Sequence, residues 1–358
     1  MTSSTAAVPA GIDGLDARWL TQALRSDADL TGATVEDVRV EQIAVDSGFS
    51  SLLYRLHLSG SELPPTLIAK LPAQSEARGA MDLLGGYRRE LAFYRNVAGR
   101  APMQTPRVYT ARMADNGVDF VLLLEDLADW DNADHLAGLS MPQARTCIRQ
   151  LAGLHAWSCQ KSNSVVLEHF PSIDTAIARD LLLPAFAPGW DIYRAHTEAA
   201  VPEPIATFAE RFAQRAGEAL SVLTERDMLL HGDIRADNLF FSGDQMKVVD
   251  FQFASRGAGA ADLAYLVTQG LPSAARTGHD EALLREYLEH VAAHGVTDYG
   301  FDEAWRHYRF AAVYLMVLPV ITLNGWDALP DRSRRLCLTL TDRAVAAIDA
   351  IDALEVFA

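Results

Sequence analysis

The sequence predicts an α+β chain in two parts, a leading part rich in strands and a longer helical part, and three observations predict it. Up to about residue 125 the chain carries strand-like runs, alternating apolar and polar over 35–45 and followed by 52–58, a nearly continuous apolar run at 66–71, and 108–111 and 118–124. Beyond that point the composition turns to Ala and Leu at helical spacing. A chain of 358 residues also exceeds what one core ordinarily holds, and the change of composition puts the boundary between residues 1–127 and 128–358.

Leu15, Trp19 and Ala23, with Leu20 and Leu24, place a short amphipathic helix ahead of the first strand, packed on the first part. The strands 35–45 and 52–58 are joined by a turn through Asp46, Ser47, Gly48, Phe49, Ser50 and Ser51. The strand 66–71 is apolar except for Lys70, and a buried ammonium without a partner is costly. A helix over 87–94 offers that partner, because Glu90 lies beside the face shared by Tyr87, Leu91 and Tyr94. The other reading of Lys70 is an edge-strand lysine whose stem snorkels to water. Strands 108–111 and 118–124 form a hairpin around Asp115, Asn116 and Gly117, and the second of them ends in Glu125, Asp126 and Leu127.

In the helical part, residues 142–157 form one long helix with Ala144, Ile148, Leu151, Leu154 and His155 at helical spacing. His155 reads as a hydrogen-bonded core histidine. Residues 165–200 carry Phe170, Phe186, Trp190 and Tyr193, interrupted by Pro171, Pro184 and Pro188, and read either as a lid or as irregular helical packing. An amphipathic helix over 204–223 leads into residues 228–252, MLLHGDIRADNLFFSGDQMKVVDFQ. There two strand-like arms, with a turn at Ser242, Gly243 and Asp244, hold Asp233, Asn238 and Asp250 at one end of a hairpin. Mg2+ takes hard oxygen ligands and few protein ones, so Asn238 and Asp250 suit a metal that also holds phosphates, leaving Asp233 to orient a hydroxyl. Residues 281–294, 302–323 and 330–354 complete the chain as three helical segments.

Bulk properties narrow the partners. A net charge of −16 argues against nucleic acid, anionic membrane surfaces and other polyanions. Cys147 and Cys159 fall about 18 Å apart on one predicted helix, so they cannot pair with each other, which fits a reducing compartment. The first residues lack the basic and apolar regions of a signal peptide. The longest apolar run, 310–323, is too short to span a bilayer and contains Pro319, so no membrane insertion is expected.

Position by position, HGDIRADN resembles the catalytic loop H-R-D-L-x-x-x-N of protein kinases, and Asp250, Phe251 and Gln252 resemble the D-F-G metal motif that follows it. With Gly after the His and Gln closing the second motif, the pair resembles the small-molecule kinases related to aminoglycoside phosphotransferases and choline kinases, and among them the ecdysteroid-kinase-like branch. The resemblance in motif order covers roughly residues 43–266 and implies a protein-kinase-like bilobal fold with a small antiparallel sheet lobe and a larger helical lobe. It also implies ATP- and Mg2+-dependent transfer of the gamma-phosphate to a small-molecule hydroxyl, in the cytoplasm, where ATP is available.

The same resemblance implies roles for single residues. Asp233 is the base or orienting group for the acceptor hydroxyl, and Asn238 and Asp250 are ligands of the Mg2+ that bridges the phosphates. Lys70 holds the alpha and beta phosphates with Glu90 as its partner, and the turn with Gly48 and Ser50 covers them. The linker Glu125 to Leu127, in that register or one residue off, meets adenine through its backbone. Arg235 stands where protein kinases have a Lys near the transferred phosphate and either neutralises developing charge or is an exposed arginine. Asp262, in ADLAYL, resembles the Asp that anchors the catalytic loop by its backbone.

Asp262 follows Asp250 by only twelve positions and no A-P-E appears, which favours a small acceptor over a protein. The segments expected to wall the acceptor, 165–193 and 305–326, supply Phe170, Phe186, Trp190, Trp305, Tyr308, Tyr314, Met316 and Trp326 against few acids. That composition favours a lipophilic alcohol. The alternatives are an aminoglycoside or other amino-alcohol kinase, a protein kinase, and a non-catalytic nucleotide-binding regulator.

Overall fold

The computed structural model describes residues 7–44 and 51–358. The chain forms two compact units: the described residues of Met1–Arg100 with Gln104–Asp129 and Val249–Phe253, and Ala101–Met103 with Trp130–Val248 and Ala254–Ala358. The class is α+β, with an antiparallel sheet unit and a larger helical unit.

The first unit is built on a five-stranded antiparallel sheet. Its strands are β1 (Thr34–Ile43), β2 (Ser51–Ser61), β3 (Thr66–Pro72), β4 (Val108–Met113) and β5 (Phe120–Glu125), in the order β1-β2-β3-β5-β4. Helix α1 (Ala17–Leu24) begins at Asp16, whose carboxylate accepts the Trp19 N–H at 2.7 Å and so satisfies one of the orphan donors of the first turn. Its Leu20, Ala23 and Leu24 pack with Val35, Leu56, Leu67, Ala69, Val121 and Leu123 into one core. Lys70 follows Ala69 and points to the opposite face of β3. It pairs with Leu53 of β2 on one side and Leu122 of β5 on the other, so β3 is an interior strand and the edge-strand reading of Lys70 does not hold.

Helix α2 (Glu76–Leu83) was not expected from the apolar spacing, whereas α3 (Gly86–Asn96) buries the expected Tyr87, Glu90, Leu91 and Tyr94. Phe93 of α3 stacks on Phe251 with ring centroids 3.4 Å apart, which fixes the segment Val249–Phe253 against this unit. The turn that carries Gly48 and Ser50 lies outside the described residues.

In the second unit, a short strand β6 (Asp131–Asn132) precedes α4 (Met141–Ser158). Ser140 and Gln143 form a capping box at the start of α4, and Pro142 sits where its missing N–H costs nothing. The short α5 (Ser164–Leu167) is followed by α6 (Phe186–His196), α7 (Glu203–Ala209) and α8 (Phe212–Leu223). The single helix expected over 204–223 is thus two, because Arg211 leaves helical geometry (φ −116°, ψ 17°). The break lets Phe212 stack on Phe186 at 3.7 Å while Phe208 meets Phe357 edge-on.

Strand β7 (Met228–Leu230) is followed by β8 (Leu239–Ser242) and β9 (Gln245–Val248), then by β10 (Ser255–Gly257). The β8–β9 hairpin turns through Gly243 and Asp244, with Gly243 at φ 57°, a value that a glycine adopts without strain. The expectation that residues 228–230 form an arm of this hairpin is corrected. β7 pairs with β10 in a separate sheet, because the loop and 3-10 turn through residues 231–238 separate it from β8.

Helices α9 (Ala260–Thr268), α10 (Ser273–Arg276), α11 (Asp280–Ala293), α12 (Phe301–Leu315), α13 (Val317–Thr322) and α14 (Asp331–Ala350) complete the unit. The expected single segment 302–323 divides into α12 and α13. Pro319 has no N–H for the carbonyl of Leu315, and the Gln269 side chain donates to that carbonyl at 3.1 Å instead. Among the described residues one helical stretch, Phe301–Gly325, is long and apolar enough to cross a membrane, and 67% of its most apolar window is buried inside the chain. That stretch extends well beyond the run 310–323.

The aromatic residues expected to wall an acceptor are mostly core. Phe170, Phe186, Trp190, Tyr308, Tyr314 and Met316 are buried, and Trp190 stacks on Phe186 as Trp305 stacks on Tyr308. Trp326 lies against His196 at 4.0 Å with the Arg334 guanidinium 5.2 Å from its ring. Most of this aromatic set is thus taken up by the interior, part of it by stacking on other rings.

Candidate active site

The sequence-predicted residues gather in two clusters, one in each unit. In the first, Lys70 is 6% exposed and its Nζ donates to Glu90 Oε1 at 2.7 Å and to Asp250 Oδ1 at 3.2 Å. Strand β3 delivers the lysine, α3 the glutamate and the segment after β9 the aspartate. Asp250 sits at φ 65°, in the left-handed region that a non-glycine residue adopts at a cost of order 1–3 kcal/mol. Its carboxylate stays about a third exposed while Lys70 and Glu90 are nearly sealed.

Burial is the largest influence on Lys70 and favours the neutral amine, but Asp250 and Glu90 outweigh it and hold its pKa above the ordinary lysine value. Burial, reinforced by the charge of Asp250, pushes Glu90 up to about 7 against the pull of Lys70 and Gln252. When Glu90 is ionised, one ammonium faces two carboxylates and negative charge is in excess. A divalent cation at the exposed carboxylate of Asp250 would relieve it, so the donor set fits Mg2+.

The second cluster is the loop from His231 to Asn238. Asp262, at the start of α9, accepts the N–H of His231 at 2.6 Å and that of Gly232 at 3.0 Å, one on each oxygen. His155 of α4 reaches the same carboxylate at 3.2 Å and the Tyr287 hydroxyl at 2.8 Å, the hydrogen-bonded core histidine expected. The buried His231 ring accepts the Asp233 N–H on Nδ1 at 3.1 Å and so braces the loop.

Asp233 itself meets three groups. Tyr265 Oη approaches Oδ1 at 3.3 Å, Asn238 Nδ2 approaches Oδ2 at 3.3 Å, and Arg235 Nε lies 3.4 Å from Oδ2. Asn238 Nδ2 also donates to the Asp233 carbonyl at 2.9 Å. With its nitrogen committed to Asp233, the Asn238 carboxamide presents its oxygen as the remaining polar atom, which suits a hard cation. Among the described residues no group of three or more His, Cys, Asp or Glu converges as a metal centre. A site for Mg2+ needs no such group, since phosphates and water complete its shell.

The sequence model of the ecdysteroid kinase-like family matches residues 46–296, well over half of the chain. The chain belongs to that family. A further relative is methylthioribose kinase from Geobacillus thermodenitrificans (strain NG80-2), 35% identical over 85 residues, a match that spans 24% of this chain and about a fifth of that protein. Two solved structures share the fold. A putative aminoglycoside phosphotransferase from Ralstonia eutropha JMP134 aligns with 14% identity over 93% of this chain and 97% of its own, at a TM-score of 0.54. A choline kinase from Cryptosporidium parvum Iowa II aligns with 12% identity over 88% of this chain and 90% of its own, at a TM-score of 0.52. The fold is therefore that of the aminoglycoside phosphotransferases and choline kinases.

Other positions of this ecdysteroid kinase-like chain settle locally. Glu125 ends β5 with its N–H on the Arg107 carbonyl and its carboxylate on the Arg107 N–H. The next residue, Asp126, is held by Arg55 at 2.7 Å, and Leu127 is buried. Two residues of the second cluster escape a sequence reading. Tyr265 stands one helical turn after Asp262, a spacing that could have flagged it. His135 carries no such signal, yet its buried Nδ1 accepts the Ala236 N–H at 2.8 Å, and burial with the nearby Arg235 and Arg343 lowers its pKa to about 3, so it remains a neutral acceptor.

Asp262→Asn tests the anchor. It should lower stability by about 2 kcal/mol at neutral pH, because a buried carboxylate that accepts three hydrogen bonds is lost. Burial works to raise the Asp262 pKa, but the contacts with His155 and His231 and the Gly232 N–H leave it below the usual 3.8. Its contribution is therefore complete above the ordinary aspartate value and fades as pH falls through the lower folded value. Denaturant midpoints against pH should show wild type losing its advantage over the variant in acid.

Proposed function

We propose that the chain is an ATP- and Mg2+-dependent phosphotransferase that moves the gamma-phosphoryl group to a hydroxyl of a small molecule. The observation that carries the reading is the buried Lys70, held between Glu90 and Asp250 in the arrangement expected of a phosphate-binding lysine. Lys70 neutralises the alpha and beta phosphates, with Glu90 fixing its direction, and Gly48, Ser50 and the Glu125 to Leu127 linker complete nucleotide binding. Asn238 and Asp250 would supply oxygen ligands to Mg2+, which when bound would offset the charge of the phosphates. Asp233 orients the acceptor hydroxyl and takes its proton as the new oxygen–phosphorus bond forms and the bond to the leaving diphosphate breaks. Arg235, close to Asp233, stabilises charge on the transferred group.

For the acceptor we favour an uncharged, lipophilic alcohol over an amino sugar. The buried aromatic residues no longer support this preference. The support that remains is the family and the immediate surroundings of Asp233, where the partners are a phenol, a carboxamide and a guanidinium. A polycationic acceptor would meet the Arg235 cation there. A protein acceptor is disfavoured by the segment after Asp250. In it β10 pairs with β7, and Arg256 also exchanges backbone hydrogen bonds with Pro171 and Ile173, so β10 has partners on both sides. A cytoplasmic location accords with three free cysteines and the need for ATP. Steady-state kinetics on steroid-like and terpenoid alcohols beside amino sugars and choline would test the preference. A higher kcat/KM for an amino sugar than for every lipophilic alcohol would refute it.

A further inference from the structure

We propose that Gln252 is a positioning residue that ties the Lys70–Glu90 pair to the first residue of β2 and so holds the phosphate-binding ammonium in place. The inference rests on the nucleotide-binding reading above. Gln252 closes the second motif where the D-F-G pattern has glycine, and its side chain is buried at 1% exposure. Its Nε2 donates to Ser51 Oγ at 2.8 Å and to Glu90 Oε2 at 3.3 Å. The other Glu90 oxygen accepts from Lys70. Both carboxylate oxygens are therefore occupied, one by each donor, and the carboxylate cannot swing without breaking a buried bond. A rotating Glu90 would leave Lys70 to follow Asp250 alone. A glycine at this position would also strip the donor from two buried acceptors, and a buried carboxylate with an open valence is costly. The carboxamide thus joins three stretches distant in sequence, the start of β2, α3 and the metal motif, through one planar group with two N–H donors.

The test is a double-mutant cycle across positions 90 and 252, read by Mg-ATP dissociation constants and by thermal unfolding. Gln252→Glu keeps the shape but removes the donor and sets one carboxylate against another, so Mg-ATP binding should weaken about tenfold or more. Glu90→Gln with Gln252→Glu restores one amide facing one carboxylate at unchanged total charge, so its loss of affinity should fall at least about threefold short of the product of the two single losses. Should Gln252→Glu fail to fold, Gln252→Met, which keeps the length without a donor, should show the same weakening. Mg-ATP affinity indifferent to Gln252→Glu, or a double variant that regains thermal stability without regaining affinity, would reduce Gln252 to a packing residue and overturn the proposal. If wild type itself binds no Mg-ATP, the functional reading falls and the positioning role with it. A retained coupling in the thermal cycle would then identify the contact as purely structural.

Discussion

Asp233→Asn is expected to lower turnover about a thousandfold while leaving Mg-ATP affinity within about threefold of wild type. The substitution preserves the shape but leaves a single acceptor oxygen for the two donors Tyr265 and Asn238, and the carboxamide cannot take a proton from the acceptor. The groups that meet Asp233, Tyr265, Asn238 and Arg235, belong to the helical unit, whereas Lys70 and Glu90, the proposed phosphate-binding pair, belong to the sheet unit, which is why nucleotide affinity should stay. Turnover and nucleotide binding measured on the same preparation separate the two effects. Parallel loss of ATP binding would refute the assigned role.

Asp250→Ala should do the opposite to binding and as much to catalysis. It removes a proposed Mg2+ ligand and one of the two carboxylates that hold Lys70, so Mg-ATP affinity should fall about a hundredfold and transfer should vanish. Because the aspartate sits at φ 65° and Ala has no more freedom there, the backbone strain is unrelieved and any gain in stability stays small. Titration of Mg2+ at fixed ATP, followed by product formation, distinguishes this outcome from simple unfolding. A variant with wild-type activity would exclude Asp250 as a ligand.

The legible part of the site is the part written locally. Asp233, Asn238 and Asp250 lie within 18 residues, and a strand with one lysine followed twenty residues later by a helix with one buried glutamate can be paired by cost alone. Asp262 could be named because ADLAYL, close after the motifs, resembles the family's loop-anchoring segment. What could not be read depends on partners far along the chain. The two acceptors of Gln252 are 162 and 201 residues away, so nothing near it in sequence marks its role. The pairing of β7 with β10 spans the whole loop 231–238 and the β8–β9 hairpin, whereas a strand-like run beside a turn reads as part of the nearer hairpin. The aromatic residues of 165–193 and 305–326 failed as a guide to the acceptor because helical spacing shows that a stripe will be covered without showing whether ligand or protein covers it. Phe212 and Phe186 answer that for themselves by stacking on each other.

The central claim is gamma-phosphoryl transfer to a small-molecule hydroxyl, and the most direct measurement is incubation of the protein with gamma-labelled ATP, Mg2+ and a panel of small alcohols, with products separated by mass. The account predicts a labelled phosphate monoester of at least one alcohol, formed in catalytic excess over enzyme, absent in excess EDTA and absent with Asp233→Asn. Binding of Mg-ATP without a labelled product from any alcohol, or label appearing only on added protein, would contradict it.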